Sequence, residues 1–183
     1  MHKLKDKFDM VGQPIEDFSL PNSDGETKSI LDFKGSRNVV VVLLRDIHWP
    51  YCRAHVGKLS AYYKKFQEND TDIYAILVDD KENAKKMSEK YARGRFPIYY
   101  DEDKSVSKKL NQQWKLFKLG RMPGLLIVDK EGIVQYAYYS ESMKDIPPVP
   151  DTLEFAKKIN EWEGCDRFQK KLIKERGKNE ANH

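Results

Sequence analysis

Apolar residues run without a break from Val39 to Leu44 and stop at Arg45. Such a run predicts a strand covered on both faces, as in a parallel or mixed central sheet. After Pro50 the pattern changes: Val56, Leu59, Tyr62, Tyr63 and Phe66 recur at three- and four-residue steps, the period of a helix with one buried face. "TDIYAILVDD" reads as a second buried strand, and "KENAKKMSEKYARG" as a charged helix closed by Gly94. "FPIYYDED" follows as a short strand and "KSVSKKLNQQWKL" as a further helix. "GLLIVDKEGIVQYAYY" has the pattern of a hairpin, with Lys-Glu-Gly at the turn. "PPVPD" breaks the chain before a closing helix in "TLEFAKKINEWEG". Upstream, two short alternating segments flank Asn22–Gly25, the composition of a turn, and "SILDFKG" reads as a helical stub.

Strands and helices alternate first, and a hairpin and a helix close the chain. That order predicts an α/β sandwich with a mixed sheet. No repeat, flexible linker or second domain interrupts it. The expected division is a polar lead-in over 1–10, one domain over 11–163 and a basic tail over 164–183.

Charge changes this picture little. Thirty-three basic and 29 acidic residues give a net charge of +4, a mild excess that does not point to nucleic acid. From Asp166 onward six Lys/Arg stand against three Asp/Glu, the composition of a solvated end. No apolar run approaches the roughly 20 residues of a membrane span, and "MHKLKDKF" lacks the apolar core of a secretory signal. The expected compartment is therefore the cytoplasm, with no membrane partner. The two cysteines, Cys52 and Cys165, do not have the spacing of a zinc site. Neither a metal nor a cofactor is expected.

The chemistry concentrates in "VVVVLLRDIHWPYCRAH". Pro50 suits the first helical position, where its missing N–H costs little. Cys52 then falls in the first turn, among backbone N–H groups without helical partners. Those groups and the helix dipole favour an anion. Arg53 is adjacent, and Arg45 and Arg121 could add positive potential. A thiol pKa below that of a free cysteine is expected from this placement. A small inert cysteine packed in the first turn is the competing account. His48 and His55 flank the cysteine, and His55 could share its helix face and act as a base.

Taken together, "VGQPIEDFSLPNSDGE", the buried strand before Cys52, "FPIYYDEDKSVSKKL" and "MPGLLIVDKEGIVQYAYY" carry a resemblance over about Val11–Ile159. The chain resembles the peroxiredoxins of the alkyl hydroperoxide reductase/thiol-specific antioxidant group. The resemblance implies a thioredoxin-like three-layer sandwich, a mixed sheet flanked by helices. It also implies that Cys52 is the peroxidatic nucleophile that attacks the O–O bond of hydrogen peroxide or an organic hydroperoxide. A thioredoxin-like protein or a low-molecular-weight thiol would be the reductant, and the protein would be a homodimer.

The site departs from the family pattern Pro-x-x-x-Thr/Ser-x-x-Cys. Arg45 stands in place of the Pro and Trp49 in place of the hydroxyl residue, and the later family Arg falls on Pro123, two residues after Arg121. Met122–Pro123 resembles the thioredoxin-type cis-proline loop. Arg45, Arg53 and Arg121 are candidate stabilisers of the thiolate and peroxide, and Trp49 and Pro123 are candidates for the site loop. Cys165, in "EWEGCDRFQKK", is a candidate resolving cysteine by position. Two alternatives to a thiol peroxidase are a monothiol disulfide oxidoreductase and a redox-sensing interaction module.

Overall fold

The strand that the apolar run predicts, β3 (Asn38–Leu44), is buried along its whole length and is the centre of the molecule. The computed structural model describes residues 4–118 and 120–161. Before β3 come a small antiparallel pair, β1 (Ser19–Pro21) and β2 (Thr27–Ser29), and a single 3-10 turn over Ile30–Phe33. After it come α1 (Pro50–Gln67), β4 (Thr71–Leu77), α2 (Lys81–Met87), β5 (Ile98–Tyr100) and α3 (Ser105–Lys109). A second small pair, β6 (Trp114–Lys115) and β7 (Gly120–Arg121), leads into the hairpin of β8 (Gly124–Val128) and β9 (Val134–Tyr139). Helix α4 (Val149–Glu161) closes the described chain.

The main sheet has the order β5-β4-β3-β8-β9. β3, β4 and β5 run parallel, whereas β8 runs antiparallel to β3 and β9 antiparallel to β8. Alternation along β3 divides the core in two. Val40, Val42 and Leu44 join Val56, Leu59 and Phe66 of α1 and Leu153, Phe155 and Ala156 of α4 on one face. Val39, Val41 and Leu43 meet Phe18, Leu20, Ile30 and Phe33 of the N-terminal segment, with Val106 and Leu110, on the other. Burying each of the large aliphatic and aromatic side chains contributes about 1.5–3 kcal/mol. Both faces of β3 are thus covered, which is why its sequence does not alternate.

The lead-in packs on the outer edge of the sheet. The amide of Tyr139 donates to Lys5 O at 3.1 Å, and Phe8 meets the Tyr139 ring edge-on. Backbone groups that an edge strand would leave open are thereby partly covered.

Three boundaries differ from the expectation. The helix expected over "KSVSKKLNQQWKL" is only one turn and a half, because the chain turns through the left-handed region at Asn111 (φ 57°) and enters β6 at Trp114. The charged helix of 81–94 finishes as a wider π turn over Ser88–Ala92, and its end is made by Arg93 (φ 55°) together with Gly94 (φ 64°). Helix α4 begins inside the proline-rich segment: Pro150 occupies its first turn, where a missing N–H removes no helical bond.

Candidate active site

The chain leaves β3 at Leu44 and reaches α1 through residues 45–49. Trp49 is the last extended residue (φ −82°, ψ 116°), and Pro50 fixes the first helical φ. No side chain caps this helix. Cys52 therefore sits in the first turn, and its place fixes its surroundings. Cys52, His55, Val56 and Leu59 lie at steps of three and four, so they share the face turned to the sheet. All four are buried, and Cys52 has no exposed surface at all. The thiol sulfur accepts a hydrogen bond from the backbone N–H of Arg45 at 3.4 Å.

This burial overturns the expected thiol pKa. Loss of water around the sulfur pushes the Cys52 pKa up to about 11, from an ordinary 9.0. The backbone N–H groups of Arg45 and Asp46 and the Arg45 guanidinium pull it down, and the carboxylate of Asp46 pushes it up. Desolvation of the charged form outweighs the local donors. Donors at the helix start and nearby arginines are visible in the sequence, whereas the enclosure of the sulfur arises only in the fold.

Of the three arginines, Arg45 is the one at the sulfur. Its guanidinium stacks on the Trp49 ring at 4.3 Å, its Nε donates to Asp46 Oδ2 at 3.0 Å, and Nη1 reaches Met143 Sδ at 3.5 Å. Arg53 is held over the Tyr91 ring at 5.8 Å, on the π turn. Arg121, half-buried on β7, is influenced by the carboxylate of Asp101. Pro123 directly precedes Gly124, which pairs with Leu43, so its loop meets the same end of β3. The Met122–Pro123 peptide is trans, unlike the cis-proline loop that the sequence suggested. Trp49 is half-buried, and its indole N–H is enclosed without an acceptor among the described residues. Cys165 lies outside the described residues; within them Cys52 is the one free cysteine.

The histidines separate. His48 is exposed, and its backbone N–H donates to Asp46 Oδ1 at 2.9 Å. His55, the candidate base on the helix face of Cys52, is buried, and its Nε2 has no partner among the described residues. Burial, with Lys58 adding to it, lowers its pKa to about 4, so the ring is neutral near pH 7.

Four residues of the site were not read from the sequence. Asp46 holds both Arg45 and the His48 amide. Gly120 (φ 155°) leaves room for Arg45: a Cβ there would stand 2.6 Å from Nη2. Met143 meets the far side of the guanidinium. Buried Gln112 donates from Nε2 to Leu44 O at 3.0 Å and to Met122 O at 3.2 Å. Only Asp46 carried a signal, as the acidic neighbour of an arginine beside the cysteine.

The arrangement offers one nucleophile in the first turn of α1, the backbone N–H groups of Arg45 and Asp46, and a cation held against Trp49, Asp46 and Met143. Residues 11–137 match the model of the AhpC/TSA family. Peroxiredoxin Q, chloroplastic, of Populus jackii is 31% identical over 132 residues, which make up 71% of this chain and 60% of that protein. The chain thus spans about 60% of the length of that relative. Peroxiredoxin Bcp of Bacillus subtilis (strain 168) is 26% identical over 157 residues, 82% of this chain and 97% of that one. Among solved structures, peroxidoxin BcpB from Mycobacterium tuberculosis superposes with a TM-score of 0.69 at 19% identity, covering 81% of this chain and 96% of that one. The reduced 2-Cys peroxiredoxin of Plasmodium vivax gives 0.71 at 18% identity, covering 85% and 84%. These structures share the fold, the thioredoxin-like sandwich of a mixed five-stranded sheet. The match over residues 11–137, more than half of its length, makes the chain a member of the AhpC/TSA family.

Proposed function

We propose that the protein is a thiol peroxidase in which Cys52 reduces a hydroperoxide. The observation that carries the reading is the hydrogen bond from Arg45 N–H to Cys52 Sγ, with the Arg45 guanidinium stacked beside it on Trp49. The Cys52 thiolate attacks one peroxide oxygen and the O–O bond breaks. Sulfur is oxidised to a sulfenic acid, and the other oxygen takes a proton and leaves as water or an alcohol. Arg45 stabilises negative charge on sulfur and on the departing oxygen. A thiol then condenses with the sulfenic acid, releasing water, and a second thiol reduces the resulting disulfide. A thioredoxin-like protein or a small thiol fits this role; Cys165 is a further candidate for the first of these thiols.

The enclosure of Cys52 bears on the substrate. The groups that cover the sulfur must part before any reagent reaches it, since it has no exposed surface. A hydroperoxide needs an opening of a few atoms, whereas a protein disulfide needs a far wider one. Parting also readmits water, which removes the largest influence that holds the thiol protonated. Stopped-flow reaction of the reduced protein with hydrogen peroxide tests the reading. The expected result is a rate far above that of a free thiol, abolished by Cys52→Ser. A free-thiol rate, or one that survives Cys52→Ser, would overturn it.

A further inference from the structure

We infer that Gln112 is a positioning residue for Cys52, acting through the peptide that joins Leu44 to Arg45. This rests on Cys52 being the reacting group. The two ends of that peptide face different partners. Its carbonyl, Leu44 O, accepts from Gln112 Nε2 at 3.0 Å, and its N–H, on Arg45, donates to Cys52 Sγ at 3.4 Å. A donor on the carbonyl of an amide draws charge through the conjugated unit and strengthens the N–H as a donor. Gln112 thus reaches the sulfur by one peptide without touching it.

The second bond of the same nitrogen fixes the geometry. Gln112 Nε2 also donates to Met122 O at 3.2 Å, next to Pro123. One amide group therefore pins the 112–123 segment, which carries Gly120 and Arg121, to the end of β3, where the cysteine loop begins. The bond from Met122 N–H to Gln113 O at 2.7 Å closes the same junction. Gly120 in that segment bounds the space that Arg45 fills.

The remaining atom of the side chain argues against a purely structural role. Gln112 Oε1 is buried and has no partner among the described residues. A buried acceptor left unpaired is unfavourable. An apolar side chain of the same size would avoid that cost but would supply neither N–H. An amide stands here with its acceptor unused, as expected if its two donors are what the site requires.

The test reads the ionisation of Cys52 by thiolate absorbance near 240 nm, with Cys165→Ser as background and Cys52→Ser/Cys165→Ser as blank. Peroxide is absent, so failure of the peroxidase reading would leave this result standing. The charged and titratable groups around the sulfur, Arg45, Asp46 and His55, are the same in every protein compared. Gln112→Met keeps the bulk and removes both donors. The midpoint should rise, with roughly a twofold loss of thiolate at a fixed pH below it. A role in packing alone predicts the opposite: a loosened loop readmits water and brings the midpoint down toward that of a free thiol. An unchanged or lowered midpoint in the folded variant overturns the inference. Should Gln112→Met not fold, Gln112→Asn, whose amide falls one methylene short of Leu44 O, is read in the same way.

Discussion

Replacing Cys52 by alanine should make the protein more resistant to alkali, by an amount that follows from the burial of the sulfur. The comparison is Cys52→Ala/Cys165→Ser against Cys165→Ser, so that only one sulfur differs. Folding moves the Cys52 pKa from an ordinary 9.0 to about 11. Between these values the unfolded chain has released its proton and the folded one has not. The folded state therefore binds more protons, and stability falls as pH rises. The full loss for a shift of this size is about 2.7 kcal/mol, reached above the folded pKa. Between about pH 8 and pH 10 the part expected is about 1.3 kcal/mol.

Urea unfolding at a series of pH values in this range measures it. Tyr63, which burial pushes up to about 12, loses stability in the same direction, but equally in both proteins. Removing the sulfur also leaves a small void, a constant offset that does not depend on pH. The quantity that matters is thus the slope of the difference between the two proteins. The Cys165→Ser protein should lose ground to the variant by about 1.3 kcal/mol across the interval. A flat difference would mean that folding leaves the thiol pKa where it is, and one that grows in favour of the protein retaining Cys52 would mean that the folded state stabilises the thiolate. Either result would make the desolvation argument wrong, and the second would mean that the closed site favours the active ion.

Two other substitutions probe the surroundings of the sulfur. Gly120→Ala puts a Cβ into the space of the Arg45 guanidinium, at a backbone conformation (φ 155°) that suits glycine. It should cost about 1–3 kcal/mol in chemical denaturation and slow the reaction with peroxide; unchanged values for both would show that Arg45 has other room. His55→Leu removes a buried ring held neutral by a pKa of about 4. Below its ordinary 6.5 the unfolded chain takes up a proton that the folded one refuses, so the parent protein loses stability as pH falls. At about pH 5 the variant should have gained roughly 2 kcal/mol relative to its advantage at pH 8; an equal difference at both pH values in urea melts would show that His55 is protonated in the fold.

Much of the architecture was legible because it follows from local pattern. Val39–Leu44 is apolar on both faces and became the covered central strand. The three- and four-residue steps from Val56 to Phe66 became the buried side of α1. The expectation failed where a boundary depends on one backbone conformation or on a tertiary partner. Asn111 in the left-handed region ended α3 early, and the following residues were free to form β6. Neither event has a hydrophobic period. The same holds for the site. Cys52 and Arg45 are near neighbours in sequence and could be read together. Gln112 and Met143 reach the site from distant segments, and nothing in their own sequence surroundings marks them.

The largest gap in the sequence reading concerns sign. Arg45, Arg53 and Arg121 are visible as positive charges near a cysteine, and their sum suggests a stabilised thiolate. In the fold, Arg53 lies over Tyr91, and Arg121 stands on β7, where burial lowers its pKa. The third is held by Asp46, whose carboxylate also acts on the sulfur in the opposite sense. The balance at Cys52 is therefore one cation and the backbone N–H groups of Arg45 and Asp46 against one carboxylate and the loss of water. Of these, the loss of water is the largest. Exposure of Cys52 and ionisation of Cys52 are thus coupled through desolvation. A charge census of the sequence cannot reveal that coupling, because it arises from which groups are enclosed.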